Sequence, residues 1–158
     1  MAAAKPPILL NSVANVECDE SAGKGTASGL SGSQEVKVTE LSWSECHTQG
    51  AADNCTVTNK ALPTWDITRT ALNVGTASTA SGAVELECEI LDLFQMDCVY
   101  PWPATLDVEG ALHTEATGNG KLSADKMVVE LTEGSEHCPE TAKWDLSFEP
   151  SEEVYVLE

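Results

Sequence analysis

Histidine is the side chain best suited to general-base chemistry at neutral pH, and this 158-residue sequence contains His47, His113 and His137. Period-two spacing in the segment 111–115 places Glu115 on the same face of a strand as His113. A carboxylate that orients a histidine is part of a hydrolytic site. The same pattern also suits an exposed polar patch, and no Gly-x-Ser-x-Gly turn followed by a helix supplies a nucleophile. We therefore assign no catalytic residue and retain His113 and Glu115 as candidate binding residues.

An aromatic pair provides a second candidate binding site. Trp102 lies between Pro101 and Pro103 and follows Tyr100 by two residues, so its ring sits on a stiff, extended segment. Such a ring stacks on a sugar or on a partner's side chain when it is exposed, and packs beneath a loop when it is buried. The sequence leaves both alternatives open, so Trp102 and Tyr100 are candidate binding residues.

Three glutamates, Glu85, Glu87 and Glu89, alternate along one predicted strand. Neighbouring side chains on one strand face are about 6.5–7 Å apart, which is too far for one ion to bind all three. Calcium takes roughly six to eight oxygens, usually from a turning loop, and the sequence lacks that pattern. We interpret the row as a solvated face that discourages edge pairing. We predict no metal site and no cofactor.

Cysteine usage gives the strongest signal about compartment. No Cys-x-x-Cys pair occurs, which argues against a structural zinc site. The two shortest intervals predict the disulfides Cys46–Cys55 and Cys88–Cys98, which leaves Cys18–Cys138 as the third. Three disulfides are typical of an oxidising, extracellular compartment. The sequence therefore predicts a secreted or cell-surface protein.

Strands are the elements that must position these residues, because alternation of apolar and polar residues is common and helical periodicity is nearly absent. The clearest strands are predicted at 83–90, 142–148 and 65–70, and others at 35–43, 55–60, 104–108, 111–117, 122–131 and 154–157. Turn-forming residues separate them, notably at 23–32, 75–82 and Asn119-Gly120. The pattern predicts an all-β fold, an antiparallel β-sandwich or barrel of about eight to ten strands.

Composition narrows the possible partners. Twenty-six acidic and eight basic residues give a net charge of −18, which disfavours nucleic acid and anionic membrane surfaces. The 42% of hydrophobic residues suffices for a folded core. No secretory leader or apolar span is visible, so membrane insertion is not expected. We expect one secreted β domain at residues 5–157, with residues 1–4 and 157–158 derived from an expression vector.

The cysteine and tryptophan segments resemble a group of small secreted proteins of actinobacteria, largely of unknown function. The resemblance spans about residues 40–157 and rests on three segments. These are 46–55 with Leu-Pro-Thr-Trp at 62–65, 84–88 with 98–100, and 138–144 with 154–156. Because these are framework residues, the resemblance implies an extracellular all-β fold and carries over no catalytic or binding residue.

Three functions are compatible with these features. The first is a non-enzymatic extracellular structural or binding module whose partner is a cell-wall polysaccharide or another protein. The second is a hydrolase that acts on a polysaccharide or a peptide. The third is a secreted inhibitor that presents the loop 49–54 between Cys46 and Cys55. We favour the first, since the sequence offers a stapled acidic scaffold without a recognisable catalytic motif.

Overall fold

The computed structural model describes residues 2–10, 14–30, 33–50, 52–79, 81–90, 93–111, 119–134, 136–153 and 155–156. This part of the chain is all-β, as the alternation predicted, and it contains no helix that could cross a membrane. Its strands are β1 (Ala2–Leu10), β2 (Ala14–Leu30), β3 (Ser33–Gly50), β4 (Ala52–Ala61), β5 (Thr64–Ala71), β6 (Val74–Ser78), β7 (Ala83–Ile90), β8 (Phe94–Pro101), β9 (Thr105–Gly110), β10 (Gly120–Glu130), β11 (Glu133–Gly134) and β12 (Thr141–Glu149).

Two antiparallel sheets form the architecture. Eight strands curl into a closed sheet in the order β1-β12-β10-β9-β6-β5-β3-β2, and β1 pairs with β2 to complete the ring. The other four form a smaller sheet in the order β11-β8-β7-β4. The prediction of an antiparallel sandwich or barrel is confirmed.

Strand β7 illustrates how the alternation produces this fold. Val84, Leu86 and Cys88 are buried, whereas Glu87 and Glu89 on the opposite face are exposed. One face of the four-stranded sheet therefore joins the core, and the other carries charge into solvent.

Four tryptophans and Phe148 link the two sheets. The ring of Trp102 stacks on Trp144 of the closed sheet at a centroid distance of 5.2 Å. It also meets Trp65 edge-on at 5.7 Å and Trp43 at 5.8 Å. The indole N–H of Trp144 donates a hydrogen bond to the Pro101 carbonyl at the end of β8 (3.0 Å). We call Trp43, Trp65, Trp102, Trp144 and Phe148 the aromatic cluster.

All six cysteines are oxidised, but the predicted pairing is wrong. The predicted bonds were Cys46–Cys55, Cys88–Cys98 and Cys18–Cys138, and the observed bonds are Cys18–Cys46, Cys55–Cys88 and Cys98–Cys138. Strand register explains the difference. In the β7–β8 hairpin Cys88 lies opposite Met96, so Cys98 is two residues out of register with it. Cys46 instead lies opposite Cys18 in the β2–β3 hairpin, and β4, which carries Cys55, pairs with β7 rather than with β3.

The observed bonds fasten neighbouring strands rather than the two sheets. Cys18 and Cys46 both lie in the closed sheet, and Cys55 and Cys88 both lie in the smaller one. Cys98 of β8 bonds Cys138 in the connection between β11 and β12. None of the three bonds joins a strand of one sheet to a strand of the other, so noncovalent contacts, those of the aromatic cluster among them, join the two sheets.

Two glycine-rich segments predicted as turns are strands instead. Residues 23–30 belong to β2, and Val74–Ser78 forms β6. Glycine suits both because neighbouring backbone passes very close: a Cβ atom on Gly25 would lie 2.6 Å from the Lys37 carbonyl oxygen, and one on Gly75 would lie 2.6 Å from that of Thr68.

We expect Trp102→Ala to lower the free energy of unfolding by about 3–5 kcal/mol even with all disulfides intact, because it leaves a cavity where the two sheets meet. Denaturant unfolding without reductant measures the change. Leu72→Ala, at a side chain that is 80% exposed, is the control and should change stability little. A loss below about 1 kcal/mol for Trp102→Ala would contradict the role of the cluster.

Peptide mapping of the unreduced protein should recover the pairs Cys18–Cys46, Cys55–Cys88 and Cys98–Cys138. Replacing both Cys18 and Cys46 with alanine should cost about 3.5 kcal/mol of stability, since that bond closes a segment with a sequence separation of 28. A peptide that joins Cys46 to Cys55 would refute the observed register.

Candidate functional site

The aromatic residues predicted to bind a ligand lie in the core. Trp102 is 2% exposed and Tyr100 is fully buried. The Tyr100 hydroxyl donates a hydrogen bond to the Pro139 carbonyl (2.7 Å), and the Trp102 backbone N–H donates one to the Gly82 carbonyl. The exposed stacking platform is therefore not present, and the alternative of packing beneath a loop is observed.

The histidines predicted as candidate bases differ in what the structure shows of them. His113 and Glu115 lie outside the described residues. His47 Nε2 lies 2.9 Å from a carboxylate oxygen of Asp19 across the β2–β3 hairpin, and both side chains are exposed. Among the described residues no hydroxyl hydrogen-bonds to His47. This pair supplies a base and an orienting acid without a nucleophile.

The inhibitor hypothesis required a loop closed by its own disulfide, and that closure is absent. Cys46 and Cys55 bond to strands β2 and β7 respectively, not to each other. Strand β3 ends at Gly50 and β4 begins at Ala52. Residues 49–50 and 52–54 of the predicted loop therefore belong to strands β3 and β4, and residue 51 lies outside the described residues.

A carboxylate cluster lies on the outer face of the smaller sheet. Oxygens of Glu85, Glu87 and Asp97 lie within 4.8 Å of one another, because Glu87 and Asp97 are directly opposed in the β7–β8 pair. The predicted solvated row contained Glu89 rather than Asp97. Sequence alternation shows which residues share a face of one strand, but only the register of the next strand could add Asp97.

Repulsion within this cluster perturbs Glu85. A hydrogen bond with Glu87, followed by the charge of Asp97, raises the pKa of Glu85 above its ordinary value. Lys60 Nζ lies 3.9 Å from Glu85 but 2.9 Å from Glu133, so it partners mainly Glu133 and lowers that carboxyl's pKa. We interpret the raised pKa of Glu85 as the result of its hydrogen bond with Glu87 and of like-charge repulsion within the cluster.

An apolar opening lies at one end of the closed sheet, between the end of the β2–β3 hairpin and the C-terminal residues 150–153 and 155–156. We call this opening the mouth and those C-terminal residues the C-terminal strap. Two adjoining cavities of about 250 and 380 Å³ lie in the mouth, and both are lined by Ala27, Val36 and Leu122. Ile67, Val108 and Val156 add apolar wall to the first. The closed sheet is therefore incompletely filled at this end.

Side-chain amides hold the C-terminal strap across the mouth. The Asn73 Oδ1 atom accepts a hydrogen bond from the Val156 N–H (2.8 Å), and Gln34 Nε2 donates to the Tyr155 carbonyl (3.0 Å). Asn73 adopts a left-handed φ of 56° and lies against Gly110, where an added Cβ would be 1.9 Å from Oδ1. Gly110 therefore leaves room for the strap's main anchor. The strand predicted at 154–157 is wrong for residues 155 and 156, which are in no strand, and residues 154 and 157 lie outside the described part.

The charged side chains around the mouth are mostly acidic. Glu35 and Glu153 line the first cavity and Glu152 lines the second, and all three are exposed. Lys24 also lines the second cavity, but its ammonium group pairs with Glu40 at 2.9 Å. The mouth thus combines apolar walls with an acidic rim.

Sequence reasoning missed the mouth because its residues come from five strands and the strap. The glycine-rich segment 23–32 was the one signal at this place, and it was interpreted as a turn. Comparison of the chain with protein-family models, curated proteins and solved structures gives no match.

We expect Glu85→Gln to raise the melting temperature at neutral pH, since it removes a charge that Glu87 and Asp97 disfavour. A raised pKa in the folded state means that protonation of Glu85 favours folding, so this stability is present at low pH and lost as pH rises through that pKa. The variant should therefore match the wild type in acid and exceed it near neutrality. Calorimetry over a pH series measures this difference. Glu130→Gln, at an exposed carboxylate of β10 that lies opposite Thr141 and outside the cluster, is the control, and an equal rise for both would contradict the assignment.

Proposed function

We propose that this protein is a non-enzymatic extracellular binding module, secreted or held at the cell surface, that binds its partner at the mouth. The observation that carries the proposal is the pair of apolar-walled cavities at the open end of the closed sheet. Closed sheets of eight strands have an interior that suits side chains or one small ligand. Ligand sites are typically concave and mostly apolar, with a few polar groups at the edge.

Rigidity supports binding at this place. The Cys18–Cys46 bond fixes the β2–β3 hairpin whose end forms one wall of the mouth, and β3 contributes Trp43 to the aromatic cluster. A site whose walls are already ordered loses less conformational entropy when it binds. The scaffold therefore favours a preformed site over one assembled around the ligand.

The proposed location outside the cell is consistent with three disulfides and no free cysteine among the described residues. Of the two expected partner classes we favour another protein over a cell-wall polysaccharide. The rings of Trp102 and Tyr100, which would stack on a sugar, are buried.

Nile red, a neutral apolar dye, tests the mouth as a binding site. We expect saturable binding of about one dye per chain, with a rise in dye fluorescence as it enters an apolar environment. Ala27→Phe should weaken binding at least about tenfold, because Ala27 is exposed and lines both cavities, so a larger ring fills them without disturbing the core.

Thr58→Phe provides the matched control, since Thr58 is an exposed strand residue on the smaller sheet and lines neither cavity. It should bind Nile red as the wild type does. Absence of saturable binding, or equal binding by Ala27→Phe and wild type, would refute the mouth as the site. Turnover of ester, glycoside or peptide substrates by the wild-type protein would refute the non-enzymatic assignment.

A further inference from the structure

Building on the proposed function, we infer that the partner is an extended, positively charged peptide segment that adds as a strand to residues 24–30 of β2 and places an apolar side chain in the mouth. Four observations support this inference: a strand edge whose described partners all lie on its other side, the composition of that edge, its position beside the cavities and the charge around it.

Among the described residues, only β3 pairs with residues 24–30 of β2. Strand β1 pairs with β2 only between Asn15 and Ala22, and the partners of residues 24–30 all belong to β3. Residues 24–29 are exposed. Among the described residues no backbone hydrogen bond joins the C-terminal strap to this edge. Seven residues span roughly 23 Å, enough for the backbone ladder that an added strand requires.

Most of this edge lacks the charged and proline residues that usually prevent strand addition. Natural edges are protected by lysines, prolines, bulges or a covering element. Lys24 and a register irregularity between Lys24 and Gly25 protect one end only. The remainder, Gly-Thr-Ala-Ser-Gly-Leu at 25–30, contains neither a charge nor a proline.

The cavities lie directly beside the edge. Ala27 of β2 lines both, and its partner across the hairpin, Val36, lines both as well. Side chains of an added strand point alternately to the two faces of the sheet. One set would therefore enter the mouth, where Leu122 and Val108 provide apolar contacts, and the other set would face solvent.

Charge selects the partner among extended peptides. The carboxylates of Glu35, Glu152 and Glu153 surround the mouth, and the whole chain carries a net charge of −18. A basic segment is attracted by this field, and an acidic segment is repelled. A peptide with a basic side chain beside an apolar one can place the first near Glu153 and the second in the cavity that Glu153 lines.

Three rhodamine-labelled octapeptides test this inference by fluorescence anisotropy. The first alternates lysine and valine, the second replaces lysine with glutamate, and the third has the first sequence with alternate backbone nitrogens methylated along one edge. We expect the first to bind the wild type, and the second to bind at least about tenfold more weakly because of charge. The third peptide is made in two versions, each methylated along one of its two edges. At least one version should bind at least about tenfold more weakly than the first peptide, because its methylated edge cannot donate hydrogen bonds to β2.

Salt and variants supply the controls. Raising sodium chloride from about 20 to about 500 mM should weaken binding of the lysine–valine peptide, because salt screens its attraction to the carboxylates around the mouth. Glu153→Gln combined with Glu35→Gln should reduce the affinity for the lysine–valine peptide, because it removes two carboxylates of the acidic rim. Ala27→Phe should weaken both probes, and Thr58→Phe neither.

The outcomes separate this inference from the proposed function. Saturable Nile red binding with no binding of the lysine–valine peptide would overturn the inference and leave the mouth as a site for another ligand. Absence of binding by both Nile red and the lysine–valine peptide would overturn the proposed function itself. Equal binding of both methylated peptides and their parent would exclude strand addition. Concentration-dependent dimerisation of the wild type that Ala27→Phe abolishes would identify a second copy of this chain as the occupant, against the inference.

Discussion

The packing of Trp102 against Trp144 and Trp65 is the interaction on which the two-sheet arrangement depends. It places the apolar face of the smaller sheet on residues of the closed sheet, and the hydrogen bond from Trp144 to the Pro101 carbonyl fixes the approach. Aromatic pairs of this kind add roughly 0.5–1.5 kcal/mol each beyond the area they bury. No disulfide joins a strand of one sheet to a strand of the other. This noncovalent contact therefore helps to hold the two sheets together.

The disulfides act instead on register. A strand that slips by one residue turns its whole apolar set toward solvent, and a bond between directly opposed cysteines prevents that slip. The Cys18–Cys46 bond does so in the long β2–β3 hairpin, one end of which reaches the mouth. The pairing of Ala27 with Val36, and hence the wall of both cavities, is therefore set partly by a covalent bond many residues away.

Electrostatics divides the surface into two different acidic regions. On the smaller sheet, carboxylates face each other across β7 and β8, and the raised pKa of Glu85 shows that one of them holds its proton more tightly there. Around the mouth, Glu35, Glu152 and Glu153 lie beside apolar cavities. In the first region the carboxylates repel one another across the two strands. In the second region the carboxylates act on a ligand that enters the mouth.

Much of the fold was predictable because it depends on local pattern. The strand at 83–90 was predicted with the bounds that the structure has, since three glutamates alternate with apolar residues over its whole length. The glycine-rich part of β2 was missed, because glycine favours turns in general and is used here for close contact between backbones. Of the candidate site residues, Trp102 packs against tryptophans of the closed sheet and Tyr100 bonds to the Pro139 carbonyl, and no local sequence pattern contains either contact.

The amino-acid sequence by itself determined the all-β class, the inward and outward faces of strands such as β7, and the acidic surface, since alternation and charge are properties of neighbouring residues. Only the tertiary structure decided which cysteines bond, that Asp97 joins Glu85 and Glu87, and that Ala27, Val36 and Leu122 surround one opening. These depend on strand register and sheet order, which bring together residues far apart in the chain.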